Sequence, residues 1–315
     1  MDIYNLTQRQ SGTITILCLC GLFLLSTLAI IKANPESRSL YTNLPETIAA
    51  AFALGFSLLV LYQRQKAIFT LSSRGNFNNS GVIDYRKRTI RDNEELLTHI
   101  FLTLGIGTWF SAEMVYSYYQ LWLNVDTPYP SIADPFYLIG YGFFAFYFYR
   151  VLQLSSKGIS RDIIVLISFA AALSIGYILN LSFGLAQMVS IQQNILTTTL
   201  SIAYPILDTV LLVPAITLLW SIRKGALEHT HWLLISIFMT LATIADVGYG
   251  YDAVTGVVSE QEWIWDILYN ASYITIAASL FWESKYYSKN RKTIKVDRIM
   301  PSNIHPANED NNKTS

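Results

Sequence analysis

The chain has 315 residues, 52% hydrophobic and only 14% charged, against roughly 25% charged in ordinary globular proteins. Its 22 Lys and Arg balance 22 Asp and Glu, so the zero net charge lacks the basic footprint of a nucleic-acid binder, and no nucleic-acid partner is expected. A positive mean hydropathy of +0.34 excludes disorder over most of the length.

A helix that crosses a bilayer needs about 20 mainly apolar residues, and eight such stretches follow one another along the chain. They run from Ile14 to Ile31, Pro45 to Tyr62, Leu96 to Trp122, Ile132 to Leu154, Ile163 to Leu181, Ile195 to Ile222, Trp232 to Tyr251 and Trp263 to Trp282. The predicted fold is all-α, a polytopic integral membrane bundle of eight transmembrane helices over residues 1–282. The first stretch is longer than a signal-peptide core and is followed by no clear small-residue cleavage site, so it reads as a retained span. Cys18 and Cys20 within it point to nearly opposite sides of a helix, which argues against a disulfide or a metal pair.

Basic residues fall on one side. Alternate connections carry Arg64, Lys66, Arg74, Arg86, Lys87, Arg88 and Arg91, then Lys157 and Arg161 with Arg150 in the last turns of the fourth span, then Arg223 and Lys224, and finally the tail from Lys285 to Lys313. The opposite connections hold only Lys32 and Arg38, so the positive-inside rule predicts a multi-pass cell-membrane protein with both termini cytoplasmic. Trp122, Tyr129, Trp220, Trp232, Trp263 and Trp282 stand at span ends, where aromatic belts form. Residues 63–95 read as a cytoplasmic loop, with a short helix around Tyr85 to Glu95, and residues 283–315 as a polar, largely disordered tail.

The third span contains Glu113, Tyr116 and Tyr118, and the seventh repeats that spacing as Asp246, Tyr249 and Tyr251. The fourth opens with Asp134, Tyr137 and Tyr141, and the eighth repeats it as Asp266, Tyr269 and Tyr273. Because the two patterns stand 21 residues apart in one half and 20 in the other, two four-helix copies are expected, at about 1–158 and 159–282. An even number of spans preserves orientation, so the repeats are parallel. Pro45 is paired with Pro205, while Asp208 finds no partner because Glu46 falls in another register.

With Glu46 set aside, five acids thus lie in spans: Glu113, Asp134, Asp208, Asp246 and Asp266. A charged carboxylate at mid-bilayer costs about 2.5 to 3.5 kcal/mol on insertion scales, so such acids face protein or water. No Lys or Arg stands among them. At 1.5 Å of rise per residue all five fall in the outer half or at the centre, which predicts an outward-opening funnel of acids and phenols with Asp208 at its floor. Tyr116, Tyr137, Tyr141, Tyr204, Tyr249, Tyr269 and Tyr273 complete the candidate ligand- or cation-binding set. Blander roles compete with this one. Asp134 with Ser131 resembles a capping box, Asp266 complements a helix dipole, Glu113 and Asp246 suit interhelix hydrogen bonds, and tyrosine stripes serve packing. Asp208, three residues after Pro205 in mid-span, is the hardest to explain structurally.

His99, His229, His231 and His305 lie away from the acids and build no zinc or haem site, and no phosphate loop or nucleophile elbow is present. No cofactor and no enzymatic activity are expected, a carboxylate-dependent intramembrane hydrolase being the residual enzymatic option. The segments Pro130 to Tyr137, Tyr204 to Asp208, Ala245–Asp246 and Asp266 to Tyr269 resemble a polytopic membrane region at the N-terminus of many prokaryotic signalling proteins. The similarity covers mainly Leu96 to Trp282. That resemblance implies a sensory input module, commonly followed by a diguanylate cyclase or histidine kinase domain. Here only a short tail follows Trp282, so a standalone module is expected, acting alone or through a separate signalling partner. A proton- or cation-coupled carrier and a structural subunit of a membrane complex are the alternatives.

Overall fold

The computed structural model describes residues 21, 23–33, 35–72, 79–125, 127–155, 165, 168, 176, 195–222, 230–255 and 263–299. Among the described residues every regular element is helical: α1 (Phe23–Lys32), α2 (Pro35–Ser72), α3 (Asn79–Ser117), α4 (Ala133–Ser155), α5 (Ile195–Ile222), α6 (Thr230–Thr255) and α7 (Trp263–Ile299), with a π-helical turn at Tyr118–Trp122 after α3. Among the described residues two stretches are long and apolar enough to cross a membrane, Leu40–Phe69 in α2 and Thr230–Tyr249 in α6. The expected fifth span, Cys18 and Cys20, and the turns at 182–194 and 256–262 lie outside the described residues.

Neighbours in sequence are neighbours in space from α2 to α7, and α7 returns to pack on α2. The inward faces share one apolar core, drawn from Leu102 and Ile106 of α3, Phe144 and Phe148 of α4, Leu211 and Leu218 of α5, Phe238 of α6 and Leu280 of α7. Trp109 is its hub, with its ring edge-on to Tyr137, Tyr141, Phe144 and Phe238 at centroid separations of 4.9 to 6.1 Å. That close approach is bought by Gly140, where any Cβ would collide with the Trp109 indole.

Local chemistry sets the ends of these helices. After the π-helical turn, Leu123 donates its N–H to the Tyr118 carbonyl at 3.1 Å, and Asn124 then leaves the helix at φ 52°, a left-handed conformation that Asn tolerates better than most residues. Ser131 caps α4 through its Oγ, which accepts the Ala133 N–H at 3.1 Å, while Asp134 Oδ2 accepts the Ser131 N–H at 2.6 Å.

Two boundaries differ from the sequence expectation. The supposed loop at 63–95 is largely helix, because α2 continues to Ser72 and α3 begins at Asn79. Its Arg, Lys and Glu residues are strong helix formers, so losing hydrophobicity does not end a helix already nucleated in the bundle. For the same reason the polar tail is helical as far as Ile299, and Pro301 is the first proline beyond Trp282.

Candidate functional site

The first halves of α2, α4 and α7, the middle of α5 and the later parts of α3 and α6 bring the acids together. Glu113 on α3 accepts two phenol hydrogens at the same oxygen, from Tyr137 of α4 at 2.8 Å and from Tyr273 of α7 at 2.5 Å. Asp246 on α6 likewise accepts from Tyr269 of α7 and, at 3.4 Å, from Tyr141 of α4. The same Tyr141 hydroxyl donates to Asp208 of α5. Tyr137 and Tyr269 therefore reach the acid of the preceding helix, whereas Tyr141 and Tyr273 reach across to the other half of the chain. Tyr116 lies edge-on to Tyr137 at 6.1 Å, and Tyr249 lies against Tyr269 at 5.6 Å with its ring tilted by 34°.

The outer acids are held in the same way. Asp134 accepts from Tyr204 of α5 at 2.5 Å while keeping its capping bond to Ser131, so the capping and network roles coexist on its two oxygens. Tyr249 donates to Asp266. All five sequence-predicted acids and six of the seven candidate tyrosines are thus joined by phenol-to-carboxylate hydrogen bonds, and Tyr116 joins through its ring.

The outward-opening funnel is a correction. In this conformation the phenols fill the space between the acids, leaving Glu113 6%, Asp134 5% and Asp208 3% exposed, with Asp246 and Asp266 partly buried. A tyrosine is long enough to span an interhelix gap and place its hydroxyl on a carboxylate, so the array closes on itself. Two shallow grooves of about 520 and 540 Å³ lie elsewhere, on the flank of α2, lined by residues such as Tyr62, Phe69, Phe52 and Phe56.

A sixth acid belongs to the network. Glu46 on α2 is 8% exposed and stands in the electric field of Glu113 and Asp266. Its signal was present in the sequence, an acid inside the second apolar stretch, and it was passed over because its spacing from Pro45 does not match that of Asp208 from Pro205. Neighbouring polar contacts tie α2 to its surroundings: Asn43 to Gln120 at 2.5 Å, and Thr47 to Ser117 at 2.6 Å.

Elsewhere in the bundle a second polar cluster has a different composition. Arg64 of α2 donates to Glu95 of α3 at 3.1 Å and to Glu283 of α7 at 2.8 Å. His99 donates from Nε2 to the Ser57 carbonyl at 3.1 Å and brings Nδ1 to 3.8 Å from Glu283. Burial pushes the Glu283 carboxyl up, but the positive fields of His99, His231 and Arg64 outweigh it and hold the group down at about 2. Sequence reasoning had placed Arg64 in a solvated loop and His99 aside, so this cluster was missed.

Among the described residues no group of three or more His, Cys, Asp or Glu side chains is arranged to hold a metal ion. No protein-family model, curated protein or solved structure matches the chain.

Proposed function

We propose that the chain is a polytopic membrane protein of eight spans, built as two parallel four-helix repeats with both termini cytoplasmic, and that it works as a sensory or ligand-binding module. The observation that carries this reading is the reciprocal crossing of tyrosines. Tyr141 of the first half bonds Asp208 and contacts Asp246 of the second, and Tyr273 of the second bonds Glu113 of the first. Helix packing obeys the same exchange, since α2 rests on α7 as α5 rests on α4. A ligand that competes for these phenols or carboxylates would loosen the joint between the halves, and α7 would carry the movement to its cytoplasmic extension, where a separate signalling partner would read it.

A second reading, a carrier coupled to protons or another cation, is favoured by the deep position of Asp208 and by the absence of any Lys or Arg from the acid network. Proteoliposomes separate the two. The sensor reading expects a change in Trp109 emission when external pH or Na⁺ is varied, lost in Asp208→Asn, with no accumulation of either ion. Ion flux that Asp208→Asn abolishes would transfer the assignment to the carrier.

A further inference from the structure

Asp208 Oδ1 and Asp246 Oδ2 converge on one phenol, the Tyr141 hydroxyl. Ionised carboxylates are acceptors only and a hydroxyl carries a single hydrogen, so two carboxylates meeting there are one hydrogen short. Tyr141 directs its hydroxyl at Asp208 Oδ1 and lies 3.4 Å from Asp246 Oδ2, leaving Asp208 Oδ2 buried with no hydrogen-bond partner. Asp208 is only 3% exposed, so water does not reach that oxygen freely.

Among the described residues no countercharge faces the pair. The titratable groups that act on the pair or on its Tyr141 partner are Tyr141 on α4, Tyr204 on α5, Glu113 and Tyr116 on α3, and Tyr269 and Tyr273 on α7, with Glu46 of α2 behind Glu113. Every one is acidic or phenolic. The apolar stretches 14–31 and 163–181 contain no charged residue either.

We propose that the ligand of this network is a proton, held between Asp208 and Asp246 at neutral pH and clamped by Tyr141 from the other half. This rests on the sensory reading above and gives its ligand a chemical identity. Release is a simple ionisation: the shared acidic hydrogen leaves to water and both carboxyls are then anionic. Two like charges sharing one phenol repel, and the weakest of the contacts, Tyr141 to Asp246, opens first, which separates the halves of the bundle where they cross.

The test is an infrared titration of the full chain in zwitterionic phospholipid bilayers, following the carbonyl band of a protonated carboxylic acid and its shift in ²H₂O. Expected is a band at neutral pH that disappears on alkaline titration, is abolished by Asp208→Asn and by Asp246→Asn, survives Asp134→Asn, and is restored by Asp208→Glu. Tyr141→Phe keeps the band and moves its midpoint. A wild-type spectrum without the band at neutral pH, a band surviving both Asn variants, or one bleached by NaCl but not KCl overturns the proposal, the last by giving the site to sodium. Trp109 emission recorded in parallel keeps the two ideas apart: a titrating band with unchanged emission upholds the proton and removes the sensor, while pH-dependent emission without the band does the reverse.

Discussion

The two polar clusters of this bundle are both buried and both join distant segments, yet they solve the problem of a buried carboxylate in opposite ways. Around Glu283 an Arg64 guanidinium supplies a full positive charge at 2.8 Å. Around Glu113, Asp208 and Asp246 only phenols approach, each giving one hydrogen and no charge. The first arrangement fixes a charge permanently and has little reason to change with conditions. The second gives the acids hydrogen-bond donors and, among the described residues, no countercharge. The charge-paired latch and the phenol-held acids differ in the company the acids keep rather than in their burial.

Removing the latch has the largest expected effect. Arg64→Met leaves a Glu283 side chain that is 2% exposed without its guanidinium partner, His99 standing 3.8 Å away. The expected loss is about 3–5 kcal/mol of unfolding free energy in detergent, largely recovered by adding Glu283→Gln. Asp246→Asn in the other cluster should cost much less, because the amide oxygen still accepts from one phenol and the weaker contact to Tyr141 is the one given up. Equal losses would erase the distinction. The depressed Glu283 value fixes the sign of the pH dependence: the contribution of the latch is fully present above the ordinary carboxylate range and is lost as pH falls toward about 2.

Next in size is Gly140→Ala, which drives a methyl into Trp109 and should cost about 1–3 kcal/mol by overpacking. Gly142→Ala, two residues on with open space around it, should be neutral or slightly stabilising in the same denaturant titration. Tyr137→Phe and Tyr273→Phe each remove one of the two donors at Glu113 Oε1, for about 0.5–1.5 kcal/mol apiece. A double-mutant cycle should show non-additivity because they share that oxygen, and strict additivity would place the hydroxyls on separate acceptors. The smallest effect belongs to Glu95→Gln at the exposed edge of the latch, within about 1 kcal/mol, since Arg64 keeps Glu283.

Much of the acid network was legible because it is written locally. Spacings of three and seven residues from Asp134 and Asp266 put Tyr137, Tyr141, Tyr269 and Tyr273 on the acid-bearing faces, and the matched motifs in the third and seventh spans marked Glu113 and Asp246. Which acid each phenol reaches was not legible, since Tyr141 to Asp208 and Tyr273 to Glu113 depend on how helices far apart in sequence pack. The Arg64–Glu283 bond, across 219 positions, leaves no local trace at all. Helix ends were misjudged at Ser72, Asn79 and Ile299 because hydropathy reports where apolar surface stops, whereas a helix stops where its backbone does.

The unbroken course of α7 has a mechanical consequence. One rod carries Asp266, Tyr269 and Tyr273 near its start, Glu283 some 25 Å along it, and runs on to Ile299, about 50 Å from Asp266. With Arg64 gripping it partway, that rod is a lever pivoted at Glu283, so a small sideways displacement among the tyrosines reappears, reversed in direction, at its far tip.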